Sequence, residues 1–195
     1  RALLACGLHD FQISLGHVQY FASLSREAGL DEEMAEELGN LIRNKNSFGV
    51  EQLLSGLQIS EALRRSFVEL PSLFGGEEIL AEALKLAGES GAAKAVRRLS
   101  EVYEMLTLYG LEQYVSFDLG MMSGYMYYTG IIFRGYTYGV GEPVVKGGRY
   151  DHMLSYFGKN APATGFVILM DQLQAALRRQ KIDVDARKET TLIAC

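Results

Sequence analysis

A chain of 195 residues that is 48% hydrophobic and 22% charged has apolar material for one ordinary core plus a small insertion, and sits far from the compositions that stay disordered. Its formal charge of -5 excludes the broad basic surface that tracks nucleic-acid phosphates. No apolar run of about 18 residues and no charged stretch leading into an apolar one is present, so no membrane span or secretory signal is expected, and Cys6 and Cys195, at opposite ends of the chain, read as reduced thiols of a cytoplasmic protein.

Between Leu8 and Tyr20 the residues Phe11, Ile13 and Leu15 alternate with polar positions, the period-2 pattern of a half-buried strand. A helix is predicted from Val18 to Ala28, stopped by Gly29. From Asp31 to Tyr109 the texture is helical. Asp31 caps EEMAEELGNLIRNK, Ser60 opens EALRRSFVEL before Pro71, EEILAEALKLA follows, and Ala95, Leu99, Val102 and Leu106 form an apolar stripe on the last helix.

Strands return at 114–121, 131–139 and around 144–146, with the Gly139 to Pro143 stretch as a turn. A helix is predicted over 150–157, a strand over 163–169 and a helix over 171–180. Glu189 to Cys195 reads as a strand interrupted partway, so the chain is expected to be a piece of a longer protein. The sum is an α+β protein whose strands are interrupted by helices. The basic groups Arg64-Arg65, Arg97-Arg98 and Arg178 to Lys181 lie in helical contexts and read as solvated faces. His9, His17 and His152 have no metal-ligand spacing and are expected to be structural or on the surface.

The densest local signal is Tyr127-Tyr128-Thr129-Gly130, followed by Gly147-Gly148-Arg149-Tyr150-Asp151 and then Pro162-Ala163-Thr164-Gly165-Phe166. Taken alone, paired tyrosines before a strand are packing residues at least as often as ligand contacts. Two glycines let backbone approach a ligand closely, and a guanidinium offers a fork to a carboxylate or phosphate. A tight turn with Arg149 in a surface ion pair explains that block equally well.

In order and spacing these blocks resemble the two histidine-recognition signatures of histidyl-tRNA synthetases, and Pro162 to Leu173 resembles the third class II synthetase motif, a strand entering a helix. LHDFQISLGH resembles the strand after the second motif. The resemblance implies a class II aminoacyl-tRNA synthetase-like antiparallel sheet with flanking helices, interrupted by an all-helical insertion. Its parts would be a first core segment at 1–29, the insertion at 30–110, a second core segment at 111–183, and a linker with the start of a truncated element at 184–195.

The departures from that family bear on function. Where the synthetases have Arg-Gly-Leu-Asp before the paired tyrosines, this chain has Ser123-Gly124-Tyr125-Met126, and where the third motif ends in Glu-Arg it has Asp171-Gln172. The lost arginines are those that stabilise charge on ATP, a task that Ser123 and Gln172 cannot perform, and Met126 removes a charge-assisted hydrogen bond from the pocket.

A synthetase-like frame without those charges resembles the regulatory subunits of short-form ATP phosphoribosyltransferase. The resemblance implies no catalytic residue, no metal and no cofactor. It implies a partner, the short catalytic subunit of that enzyme, with L-histidine as effector, in a homodimer within a hetero-oligomer. Tyr127, Tyr128, Thr129, Gly130, Gly148, Arg149, Tyr150 and Asp151 would form the histidine site. Membrane attachment and tRNA binding are not expected. The alternative is a histidyl-tRNA synthetase catalytic-domain fragment, and a third reading is a stand-alone sensor domain.

Overall fold

The computed structural model describes residues 1–122 and 127–182. A one-turn helix, α1 (Ala2–Ala5), which the sequence pattern does not announce, leads into β1 (Phe11–His17) and at once into α2 (Val18–Glu27). His17 serves both elements, because its Nδ1 accepts the N–H of Gln19 at 3.2 Å and so caps α2. Asp31 caps α3 (Glu32–Arg43) as predicted, accepting the N–H of Met34 at 2.8 Å.

The helix ends two residues earlier than predicted, at Arg43, because Lys45 takes a left-handed φ of 55°. Asn46 then caps α4 (Ser47–Leu54), a helix the sequence reading passes over. Ser60 caps α5 (Glu61–Glu69), and Pro71 sits in the single 3-10 turn that stops it. After the two-residue strand β2 (Phe74–Gly75) come α6 (Glu78–Ala87) and α7 (Gly91–Leu108), the latter capped by Ser90. The remaining elements are β3 (Val115–Asp118), β4 (Ile131–Thr137), β5 (Val145–Tyr150), β6 (Ala163–Ile168) and α8 (Met170–Arg179).

The strands form one six-stranded sheet in the order β2-β3-β1-β4-β5-β6. The α+β expectation holds, and the pairs are antiparallel with one exception, since β3 runs parallel to β1. Parallel neighbours need a crossover connection, and the helices from α2 to α7 supply it. They also return a strand to the sheet, as β2 pairs with the edge of β3.

Further predicted boundaries are corrected, and the strand expected over 114–121 ends at Asp118. The strand expected around 144–146 continues to Tyr150, and the helix expected over 150–157 is a short 3-10 turn at Met153–Phe157 ended by Gly158 at φ 79°. Pairing wins over local preference here: Tyr150 is held in register with Ala163 on β6. The strand expected at 189–195 lies outside the described residues.

One core joins the helices to the sheet. Tyr20, Leu24, Phe67, Ala83 and Leu99 pack with Leu15 and Phe117 of the strands. The Tyr20 hydroxyl, fully buried, donates to the carbonyl of Ala83 at 3.2 Å and ties α2 to α6. A second cluster places Leu173 and Leu177 of α8 with Leu3, Leu8 and Val145. No helix among the described residues is long and apolar enough to cross a membrane.

Candidate functional site

Side chains alternate between the faces of a sheet, and the registers sort the chemistry accordingly. Phe11, Ile13 and Leu15 of β1, Phe133 of β4 and Phe166 of β6 share one face, where with α1 and α7 they border a cleft of about 990 Å³. One end of this cleft is polar, formed by His17, Arg98, Thr129, Arg149 and Asp151.

Thr129, Arg149 and Asp151 satisfy one another. Arg149 Nε donates to Asp151 Oδ1 at 2.9 Å, the Thr129 hydroxyl donates to Asp151 Oδ2 at 2.9 Å, and the Asp151 N–H returns to the Thr129 hydroxyl at 3.0 Å. The Thr129 N–H donates to the Arg149 carbonyl at 2.9 Å, and the stem of Arg149 lies over Gly130. Burial works against the Asp151 carboxylate. The hydrogen bonds from Thr129 and Arg149 and the charges of Arg149 and His152 outweigh it and hold the carboxyl below its ordinary value. Burial and the Arg98 cation hold the His17 imidazole down to about 4, against an ordinary 6.5. The neutral ring keeps Nδ1 free to accept, which its capping role requires.

The opposite face carries the tyrosines. Rings of Tyr127 and Tyr128 lie 4.5 Å apart, and Tyr150 meets them at 5.9 and 6.5 Å. Glycines seat them. A Cβ on Gly148 would come within 2.7 Å of the Tyr128 ring, and one on Gly165, its cross-strand neighbour, within 2.7 Å of the Tyr150 hydroxyl. The space that the glycines open is therefore filled by aromatic walls. Beside Tyr128 is a smaller pocket of about 280 Å³, bordered also by Arg134, Tyr136, Glu142 and Lys146.

The expected site thus divides across the sheet. Tyr127, Tyr128, Tyr150 and the Cβ side of Gly148 come together on the tyrosine face, while Thr129, Gly130, Arg149 and Asp151 form the clasp on the cleft face. Of the altered synthetase positions, Ser123 and Met126 lie outside the described residues, and Gln172 is half-buried in the first turn of α8 beside exposed Asp171. Arg134 and Lys146 escape sequence reasoning because a lone cation on each of two strands makes no motif. Among the described residues no group of three or more His, Cys, Asp or Glu is placed to hold a metal ion.

Comparison with known proteins accounts for this architecture. The family model for histidyl-tRNA synthetase matches residues 1–173. The chain is 40% identical over 192 residues to an ATP phosphoribosyltransferase regulatory subunit of Acetivibrio thermocellus, covering 98% of this chain and 46% of that protein. It is 42% identical over 180 residues to the protein of the same name from Caldanaerobacter subterraneus subsp. tengcongensis, covering 92% and 47%. A crystal structure from Bacillus halodurans, described as an ATP phosphoribosyltransferase regulatory subunit/histidyl-tRNA synthetase, matches with a TM-score of 0.80 and 35% identity over 90% of this chain and 46% of that one. The chain spans about half the length of the curated relatives it matches. Its sequence is matched by that family model from Arg1 to Leu173, and the chain belongs to the histidyl-tRNA synthetase family.

Proposed function

We propose that the chain is part of a regulatory subunit of short-form ATP phosphoribosyltransferase, which has lost aminoacylation, associates with a short catalytic subunit and responds to histidine in the first step of histidine biosynthesis. The observation that carries the reading is a sequence at least 40% identical, over nine-tenths of its length or more, to relatives named as such regulatory subunits. The chemistry agrees. By its resemblance to the synthetases, Gln172 takes the place of an arginine that meets the nucleotide and Ser123 that of one that meets the reacting carboxylate, and neither side chain supplies a fixed cation to a polyphosphate.

In this reading Tyr127, Tyr128 and Tyr150 are the walls of a histidine pocket, with ring faces for the imidazole and hydroxyls as hydrogen-bond partners. Gly148 lets Tyr128 lie against the strand. Thr129, Gly130, Arg149 and Asp151 act from behind the sheet, holding the ends of β4 and β5 so that the tyrosines keep their relative positions. A pocket that binds histidine without activating it is suited to sensing, since an effector shifts an equilibrium only through its differential affinity for two states.

The test is histidine-dependent exchange of pyrophosphate into ATP by the full-length protein, alongside direct titration with histidine. Binding without exchange is expected. Exchange at a rate ordinary for a synthetase would establish the alternative, a charging enzyme with altered motifs.

A further inference from the structure

Arg134 on β4 and Lys146 on β5 are directly opposite one another in an antiparallel pair, on the face that carries Tyr128, and both border the pocket of about 280 Å³. Like charges at directly opposed sheet positions repel, since their Cβ atoms stand only about 5 Å apart. A sheet that places two cations there carries a cost that an anion between them would relieve. Both side chains are half-buried. Among the described residues neither lies within ion-pair distance of a carboxylate. The guanidinium of Arg134 spends one donor on the carbonyl of Met122, at 3.0 Å, out of five that point in a fixed fork.

We infer that Arg134 and Lys146 form a subsite for a small oxyanion, the carboxylate or phosphate group of a ligand whose remainder lies against Tyr128 and Tyr136. A pocket of about 280 Å³ is at the small end of the range for ligand sites and suits an amino acid or a small phosphate. Glu142, exposed on the loop at the pocket's edge and beyond ion-pair distance of either cation, adds one negative charge at the rim. Two cations inside and one carboxylate outside match a zwitterion whose carboxylate enters first. The subsite goes beyond the histidine reading, because neither cation belongs to the residues that reading assigns, and it stands or falls separately.

The experiment is calorimetric titration of the full-length protein with L-histidine, with histamine, which lacks the carboxylate, and with inorganic phosphate. It is repeated for Arg134→Met and Lys146→Met, which keep the apolar stems, and for Lys146→Arg, which keeps the charge. Losing one charge-assisted hydrogen bond costs about tenfold in affinity or more. Each Met variant should therefore weaken the bound anion by that factor while Lys146→Arg retains most of it, and wild-type affinity should fall as salt rises.

If the ligand is an amino acid, histamine binds about tenfold more weakly than histidine or worse. Phosphate binding that depends on Lys146, in a protein that ignores histidine, keeps the subsite and removes the histidine reading. Histidine binding that is equal in wild type and both Met variants keeps the histidine reading and overturns the subsite. Absence of binding by histidine and phosphate alike in the wild-type protein, which needs no variant to fold, overturns it as well.

Discussion

Replacing His17 by Asn should remove a specific part of the pH dependence of folding. The imidazole is 8% exposed, and burial and Arg98 depress it from 6.5 to about 4. An unfolded chain therefore takes up a proton on this side chain below about pH 6.5, whereas the folded chain refuses it until about pH 4. Between those values the unfolded state binds more protons, so stability rises with pH. The contribution is complete above the unfolded value, is lost as pH falls toward the folded value, and is flat below it.

At 1.36 kcal/mol per unit, the whole effect is at most about 3 kcal/mol, and about 2 kcal/mol of it is gone by about pH 5. Asn accepts the same capping hydrogen bond from Gln19 without titrating, so the variant keeps α2 while losing the proton linkage. Urea unfolding midpoints at several pH values between about 4 and 8 give the comparison. Carboxylates contribute equally to both proteins, so the difference between the two curves isolates His17. Parallel curves would refute the assignment of a buried neutral imidazole.

Gly148→Ala and Gly165→Ala separate backbone from side-chain crowding. The added Cβ at Gly148 meets the Tyr128 ring at 2.7 Å and the Ile131 carbonyl at 2.8 Å, so strand and ring must both shift, at a cost of about 1–3 kcal/mol in thermal or urea unfolding. At Gly165 the close atom is the far end of Tyr150, which can swing away, and the cost should stay below about 1 kcal/mol; equal losses for the two variants would contradict the seating of the tyrosines. Tyr20→Phe removes the buried hydrogen bond to the Ala83 carbonyl, which keeps its partner inside α6, and should lower unfolding stability by about 0.5–1.5 kcal/mol, while an unchanged midpoint would mean that this bond contributes nothing net to the packing of α2 on α6.

What the sequence discloses depends on how local the cause is. Asp31 and Ser60 announce helices because a cap involves only the residue and the next turn, and β1 announces itself through strict alternation at Phe11, Ile13 and Leu15. The two-residue β2 exists only because β3 lies beside it, so no window of sequence contains the reason for it. The end of β5 is concealed by Gly147 and Gly148, poor strand formers that this sheet accepts because Phe133, Phe166 and Tyr128 occupy the vacated space.

The site shows the same division. Tyr127, Tyr128 and the Gly-Gly-Arg-Tyr-Asp block stand out jointly, as a series of motifs in order, but a motif read as a string does not say which face each residue takes. On β5 the faces alternate, which separates Arg149 from Gly148 and Tyr150 and turns its guanidinium toward Asp151. Arg134 and Lys146 become a pair only through the register of the hairpin between them, a long-range fact that their sequence positions do not display.

The proposed regulation of another enzyme by a protein built on this synthetase frame has a direct biochemical readout. It is tested most directly by adding the full-length protein to a short catalytic phosphoribosyltransferase subunit and following phosphoribosyl-ATP formation as histidine is titrated. Activity should rise on addition, the two proteins should co-elute, and histidine should then suppress the activity. No activation and no co-elution would contradict the proposed regulation.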